Sequence, residues 1–136
     1  MVLVLTGALL AFLRPEVPAK VSDTKFTFAQ RVAYQRAIEE VYWRHRIWSR
    51  LDPKPSLDAV MSAQQVEKKV ENCLRDAHAL EDYWRRPIAP EQLQAETERM
   101  ARDTKQPEVL RELFEALGND PSVVAECLAR PVLAER

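Results

Sequence analysis

The residue types that most often carry out chemistry are few in this chain and poorly placed for it. Only two histidines occur among the 136 residues. His78 has Glu81 and Asp82 three and four positions later in the chain, so the three side chains share a helix face. This face can hold a metal ion weakly, but solvated charge pairs on a helix have the same spacing. His45 lies on the predicted buried face of a helix, where a core or boundary histidine is expected. We therefore predict no catalytic residue and no metal site.

The remaining nucleophiles and carboxylates do not form a recognisable site either. Cys73 and Cys127 lie on apolar helical stripes and are predicted to be core residues. A disulfide between them becomes an alternative if the chain is exported. The neighbouring carboxylates of Glu39 and Glu40 diverge by about 100° around a helix, which suits solvated faces and not an acid–base pair. With two glycines in the chain, no phosphate-binding loop is expected. The sequence predicts a protein that is not an enzyme and holds no cofactor.

The charge balance argues against nucleic acid as a partner. Lys and Arg total 20 and Asp and Glu 21, for a net charge of -1, whereas binding to phosphate backbones requires clustered positive charge. The segment 44–50 mixes cations with Trp48, as in proteins that bind single strands. It also ends a predicted helix, where cations are stabilised by the helix dipole. We predict no nucleic-acid binding.

The aromatic residues offer a better candidate surface. Trp43, Trp48, Tyr83 and Trp84 lie near the C-terminal ends of the two longest predicted helices. They gather into one patch if these helices are parallel and lie at opposite ends if they are antiparallel. Filling of the core is the default interpretation, but Ile47 and Trp43 form a second apolar strip beside the main one, and an exposed strip indicates a contact surface. The candidate client-binding residues are Trp43, Ile47, Trp48, Tyr83, Trp84 and Phe114.

The elements that position these residues are all predicted to be helices. Thr27 to Gln30 and Ser62 to Gln65 match capping boxes that open helices over 28–48 and 62–86, and 57–61 adds a short turn. Pro90, Pro107 and Pro121 open three further helices, since proline suits the first helical turn, and Gly118 closes one of them. Pro131 is predicted to begin a seventh helix. No strand pattern is present, so we predict an all-α, irregular bundle of about six helices.

The N-terminal part, residues 1–26, is predicted to lie outside the helical domain of residues 27–136. Residues 1–13 form one apolar run, and residues 14–26 a polar linker. The run is shorter than the ~20 apolar residues that a membrane-spanning helix needs, so no stable membrane span is expected. It is interpreted either as the remnant of an export signal or as a first helix, and an arm covering an apolar groove is a further alternative.

The order of helices resembles that of the N-terminal domain of SurA-type periplasmic chaperones, in the parvulin-linked peptidyl-prolyl isomerase family. Residues 66–77 (VEKKVENCLRDA) resemble the long helix of that domain. Residues 87–93 (PIAPEQL) resemble its next helix start, and 108–118 (EVLRELFEALG) the helix that ends in glycine. Residues 124–130 and 133–136 resemble its last helices. The likeness covers about 65–136 and rests on helix patterns.

This resemblance implies a chaperone module that holds unfolded exported or outer-membrane polypeptides. Any isomerase activity would lie in downstream parvulin domains, and the location would be periplasmic or secreted, with a cytoplasmic location as the alternative. The alternative function is a structural interaction domain, such as a homodimer, without chaperone activity. In both cases the expected partner is a polypeptide.

Overall fold

A computed structural model of the chain describes residues 25–48 and 53–135. The predicted segment 1–13 and nearly all of the linker lie outside these residues. The described part is all-helical, as predicted, and contains six helices. These are α1 (Phe28–His45), α2 (Leu57–Val60), α3 (Ala63–Trp84), α4 (Pro90–Asp103), α5 (Pro107–Ala116) and α6, which runs without a break through Pro121–Val124, Ala125–Ala129 and Arg130–Ala134.

Both predicted capping boxes are confirmed. The backbone N–H of Gln30 donates to Thr27 Oγ1 at 3.1 Å, and the N–H of Thr27 donates to Gln30 Oε1 at 2.8 Å. Ser62 and Gln65 repeat this exchange at 3.2 and 2.7 Å. Each box satisfies two backbone donors that have no partner in the first helical turn. These local bonds fix where α1 and α3 begin.

The end of α5 is closed by glycine, as predicted. Gly118 adopts φ +71°, and its N–H donates to the Glu115 carbonyl at 2.9 Å, while the N–H of Asn119 donates to the Phe114 carbonyl at 2.8 Å. These two bonds form a Schellman motif, which uses a left-handed residue to satisfy the last carbonyls of a helix. Asp120 then caps α6 by accepting from the N–H of Ser122 at 2.9 Å.

The prediction that Pro131 begins a seventh helix is wrong, because α6 continues through it. Proline has no N–H for the carbonyl of Cys127, four residues earlier, and its ring crowds that carbonyl. The backbone responds by widening over Ala125–Ala129 into a π turn, in which the N–H of Arg130 donates to the carbonyl of Ala125, five residues earlier. The helix therefore absorbs the proline without ending.

The main core lies where α1, α5 and α6 meet. Its side chains are apolar and nearly inaccessible to solvent, and they are Ile38, Val41, Leu110, Leu113, Phe114, Leu117, Val123, Val124, Cys127 and Leu128. Phe26 joins its edge through an edge-to-face contact with Tyr34, with ring centroids 5.7 Å apart. Burial of this apolar surface supplies most of the stabilisation of such a bundle.

Helices α1 and α3 are antiparallel neighbours. Near the end of α1, Glu39 pairs with Lys69 at the start of α3 at 2.5 Å. Near the start of α1, Arg31 lines the same hollow as Leu74 and Ala77, which lie farther along α3. Of the two arrangements that the aromatic pattern left open, the structure therefore has the one that separates the aromatic clusters.

An ion-pair cluster joins three helices around the π turn. Glu126 on α6 accepts from Arg31 of α1 at 3.4 Å and from Arg130 at 2.8 and 3.0 Å. Arg130 also donates to Glu81 of α3 at 2.9 Å. The two arginine side chains are only 17% exposed, so these pairs are screened less than surface pairs and fix the relative positions of the helices.

Candidate functional site: two apolar hollows

The first candidate site is a hollow of about 430 Å³ at the end of α1, called here the Trp43 hollow. Its walls come from the last turns of α1, the residues that follow it, and α2. The lining residues are Glu39, Tyr42, Trp43, Arg46, Ile47, Trp48, Leu57, Val60 and Met61. The volume lies in the range of small-molecule and side-chain pockets. Most of the lining residues are apolar or aromatic, and Glu39 and Arg46 add charged groups to the wall.

Three contacts fix the indole of Trp43 in the wall of this hollow. Its Nε1 donates to the carbonyl of Pro55 at 3.0 Å. Its ring lies edge-to-face with that of Trp48, with centroids 5.9 Å apart, and the Lys54 ammonium is 4.8 Å from its centroid. Lys54 Nζ also donates to the carbonyls of Trp43 and Arg46, the latter at 2.7 Å. The lysine thus satisfies carbonyls at the negative end of α1 and holds the tryptophan in place.

Ile47 and Trp48 complete the Trp43 hollow in different ways. Ile47 is 91% exposed, although a buried isoleucine is the norm in a globular protein. Trp43 and Trp48 are half-buried, so one part of each ring packs on the chain while the other faces the opening. Trp43 and Ile47 both line the hollow, but the helix predicted over 28–48 ends at His45. Ile47 therefore follows α1 and does not share a helix face with Trp43, as the predicted apolar strip required.

The second candidate site lies at the other end of α3 and is called here the Trp84 hollow. It measures about 270 Å³ and is lined by Leu80, Glu81, Trp84, Arg86, Pro87, Ile88, Gln92 and Leu133. Trp84 is 56% exposed and Tyr83 is 83% exposed, and their rings meet edge-to-face with centroids 6.2 Å apart. Since α1 and α3 are antiparallel, this hollow is separate from the first, and the predicted residues do not form one groove.

Phe114 belongs to neither hollow, and the prediction that it lines an open groove is wrong. It is 1% exposed and lies in the centre of the core between α5 and α6. Phe114 lies four residues after Leu110 and three before Leu117, so the three side chains share one side of the helix, and all three are buried. When two neighbouring helices cover a short helix, the apolar face of that helix is buried, and large side chains on that face are buried with it.

Both histidines are exposed in the structure. His45 was predicted on the buried face of α1, but it is exposed, because the last turn of α1 extends past the core. There its Nε2 lies 2.9 Å from Glu112 Oε2, and the hydrogen bond from His45 lowers the pKa of Glu112. His78 is exposed too. Within residues 25–48 and 53–135, no group of three potential metal ligands is present.

Glu39 is a charged residue of the Trp43 hollow whose placement the sequence analysis missed. It was predicted on a solvated face, yet it is 8% exposed. Gln35 donates to it at 3.0 Å, and Lys69 pairs with it, so its charge is compensated. Partial burial first, and the nearby Glu39 second, raise the pKa of Tyr42, which is therefore neutral at pH 7. The available signal was the spacing of Glu39 four residues before Trp43, which places the two side chains on the same side of α1.

The thiols of Cys73 and Cys127 are both free. Cys127 is a core residue, as predicted, whereas Cys73 is only partly buried and lies outside the core cluster. Across the described helices, none is long and apolar enough to cross a membrane. Comparison with family models, with curated proteins and with solved structures found no match for this chain.

Proposed function

We propose that this chain is a helical polypeptide-binding module that holds extended or unfolded segments of other proteins through its exposed apolar hollows. The observation that carries the proposal is the Trp43 hollow, in which Ile47 is 91% exposed beside two half-buried tryptophans. Exposed isoleucine and tryptophan lose contact with water when they receive a nonpolar side chain. That burial is favourable without a defined set of hydrogen bonds, so it suits partners of varied sequence.

The resemblance to the N-terminal domain of SurA-type chaperones supports the same function. In that form of the proposal, the module is a holdase for exported polypeptides and has no catalytic residues of its own. Its periplasmic or secreted location and the downstream isomerase domains stay predictions of the resemblance. Apart from the resemblance, the proposal is supported by the exposed apolar side chains at the two separated hollows.

The proposal is tested with a permanently unfolded protein, reduced and carboxymethylated lactalbumin labelled with a fluorophore. Binding to the chain is followed by fluorescence anisotropy, with native lactalbumin as the folded comparison. We expect saturable binding of the unfolded form only. Ile47→Ser removes a side chain whose burial in the complex contributes about 1.5–3 kcal/mol, so it weakens binding by about 10-fold or more.

Phe28→Ser is the control, because Phe28 is an exposed apolar residue at the opposite end of α1 that lines neither hollow. It should leave binding at the Trp43 hollow unchanged. Circular dichroism establishes that both variants remain folded, as expected for substitutions at exposed positions. Equal affinity of Ile47→Ser and the unaltered chain would remove the Trp43 hollow from the proposal.

Sedimentation equilibrium separates this function from that of a dimerisation domain. A monomer that binds unfolded lactalbumin supports the proposal. A stable dimer that loses its self-association on Ile47→Ser and binds no lactalbumin would show that the hollow is occupied by a second copy.

A further inference from the structure

The charges around the Trp43 hollow are nearly all compensated within the protein. Glu39 is paired with Lys69. Glu112 accepts from both His45, at 2.9 Å, and Arg44, at 3.3 Å. Lys54 directs its ammonium group at the backbone carbonyls that end α1. These groups therefore present little net charge to a molecule that enters the hollow.

Arg46 is different, because its guanidinium group has no carboxylate partner among the residues that the structure describes. It is exposed and lies over the face of Trp43, with Cζ 6.0 Å from the ring centroid. Within residues 25–48 and 53–135, no acidic group lies within ion-pair distance of it. Its neighbour in the chain is the exposed Ile47, so one positive charge stands directly beside the apolar contact area.

The geometry points to a specific class of polypeptide for the Trp43 hollow, and this inference rests on the proposed function. The segment carries an aliphatic or aromatic side chain, which enters the hollow, and an adjacent aspartate or glutamate, which pairs with Arg46. A guanidinium group binds a carboxylate through two parallel N–H donors. Its stacking on an indole leaves those edges open to the ligand. Segments with lysine or arginine beside the apolar residue are disfavoured by like-charge repulsion.

A polypeptide fits this site better than a nucleic acid does. Nucleic-acid binding draws its affinity from several cations that each contact a phosphate. Here the neighbouring basic side chains Arg44, His45 and Lys54 contact Glu112 or the carbonyls at the end of α1, which among the described residues of this hollow leaves Arg46 for a ligand. One cation beside an apolar hollow matches one carboxylate beside one apolar side chain.

The test uses three fluorescein-labelled peptides with the same Gly-Ser framework and a central pair of leucines, flanked by two aspartates, two glutamines or two lysines. Affinity for the full chain is measured by anisotropy at low salt and again at about 0.3 M salt. We expect the aspartate peptide to bind about threefold more tightly than the glutamine peptide and about 10-fold more tightly than the lysine peptide. Salt should reduce this preference.

Arg46→Gln should abolish the differences in affinity among the three peptides, while binding of the glutamine peptide persists. Arg75→Gln is the matched control, because Arg75 is an exposed arginine of α3 that lines neither hollow, and it should leave the differences in affinity intact. Equal binding of all three peptides, or loss of these differences in Arg75→Gln, would overturn the inference while polypeptide binding stands. If none of the peptides nor unfolded lactalbumin binds, the proposed function itself fails. Tighter binding of a ten-residue oligothymidylate than of the aspartate peptide would also overturn the inference.

Discussion

The buried thiol of Cys127 should make the protein sensitive to alkaline pH. This residue is 8% exposed and lies in the core among α1, α5 and α6. Burial raises the pKa of its thiol from the ordinary value of 9.0 to about 12, because the thiolate would lose its hydration. The unfolded chain has no such environment, so the two states release the proton at different pH values.

This difference sets the sign and the size of the effect. Below pH 9 the thiol is protonated in both states, and its contribution to stability is fully present. Between pH 9 and 12 the unfolded chain has released the proton while the folded protein keeps it, so the free energy of unfolding falls as the pH rises. For the interval from pH 8 to pH 10, the two pKa values give a loss of about 1.4 kcal/mol.

Urea unfolding followed by circular dichroism, with a phosphine reductant present, measures this loss at pH 8 and pH 10. Cys127→Ala removes the titrating group, so this variant should lose about 1.4 kcal/mol less than the unaltered chain over the interval. Val124→Ala is the matched control, since it creates a cavity in the same core but keeps the thiol. The reasoning is refuted if the unaltered chain and Cys127→Ala lose equal stability between the two pH values.

Three further substitutions test the roles of single residues. Lys54→Met should lower the free energy of unfolding by about 1–2 kcal/mol, since carbonyls at the end of α1 lose their donor. The control Lys68→Met, at an exposed ion pair on α3, should change the free energy of unfolding by less than about 0.5 kcal/mol. Thermal unfolding measures both. Phe114→Ala should cost about 3–5 kcal/mol in urea unfolding because it empties the core, and a cost below about 1 kcal/mol would contradict the buried position of the ring. Gly118→Ala should cost about 1 kcal/mol from its left-handed backbone alone, as an added Cβ meets no atom within 4 Å; unchanged thermal stability would contradict this reading.

Helix class, helix order and the starts of most helices were predictable because they depend on neighbouring residues. The capping boxes at Thr27 and Ser62 and the glycine at 118 act through bonds that span three to five positions. Such bonds depend little on the rest of the fold. The prediction at Pro131 was wrong because a proline can begin a new helix or be accommodated within a longer one by a π turn, and the surrounding packing decides which.

The membership of the candidate site was less predictable, because exposure depends on contacts distant in sequence. Ile47 and Phe114 both lie on apolar helical spacings, yet one is 91% and the other 1% exposed. The difference is that α1 ends at His45, so Ile47 lies after the helix and outside the core, whereas α5 is covered by α1 and α6. The pairing of Glu39 with Lys69 likewise depends on the antiparallel packing of α1 and α3. The sequence left this packing open.

The antiparallel packing of α1 and α3 also defines a length. Met61 lies two residues before α3 and Trp84 ends it, so the 22 residues of this helix separate the two hollows by about 33 Å. An extended chain covers that distance with about ten residues. A peptide shorter than this reaches one hollow, while a longer one can occupy both, and tethering then raises the effective concentration at the second hollow to the millimolar range. Affinity should therefore rise steeply with client length near ten residues.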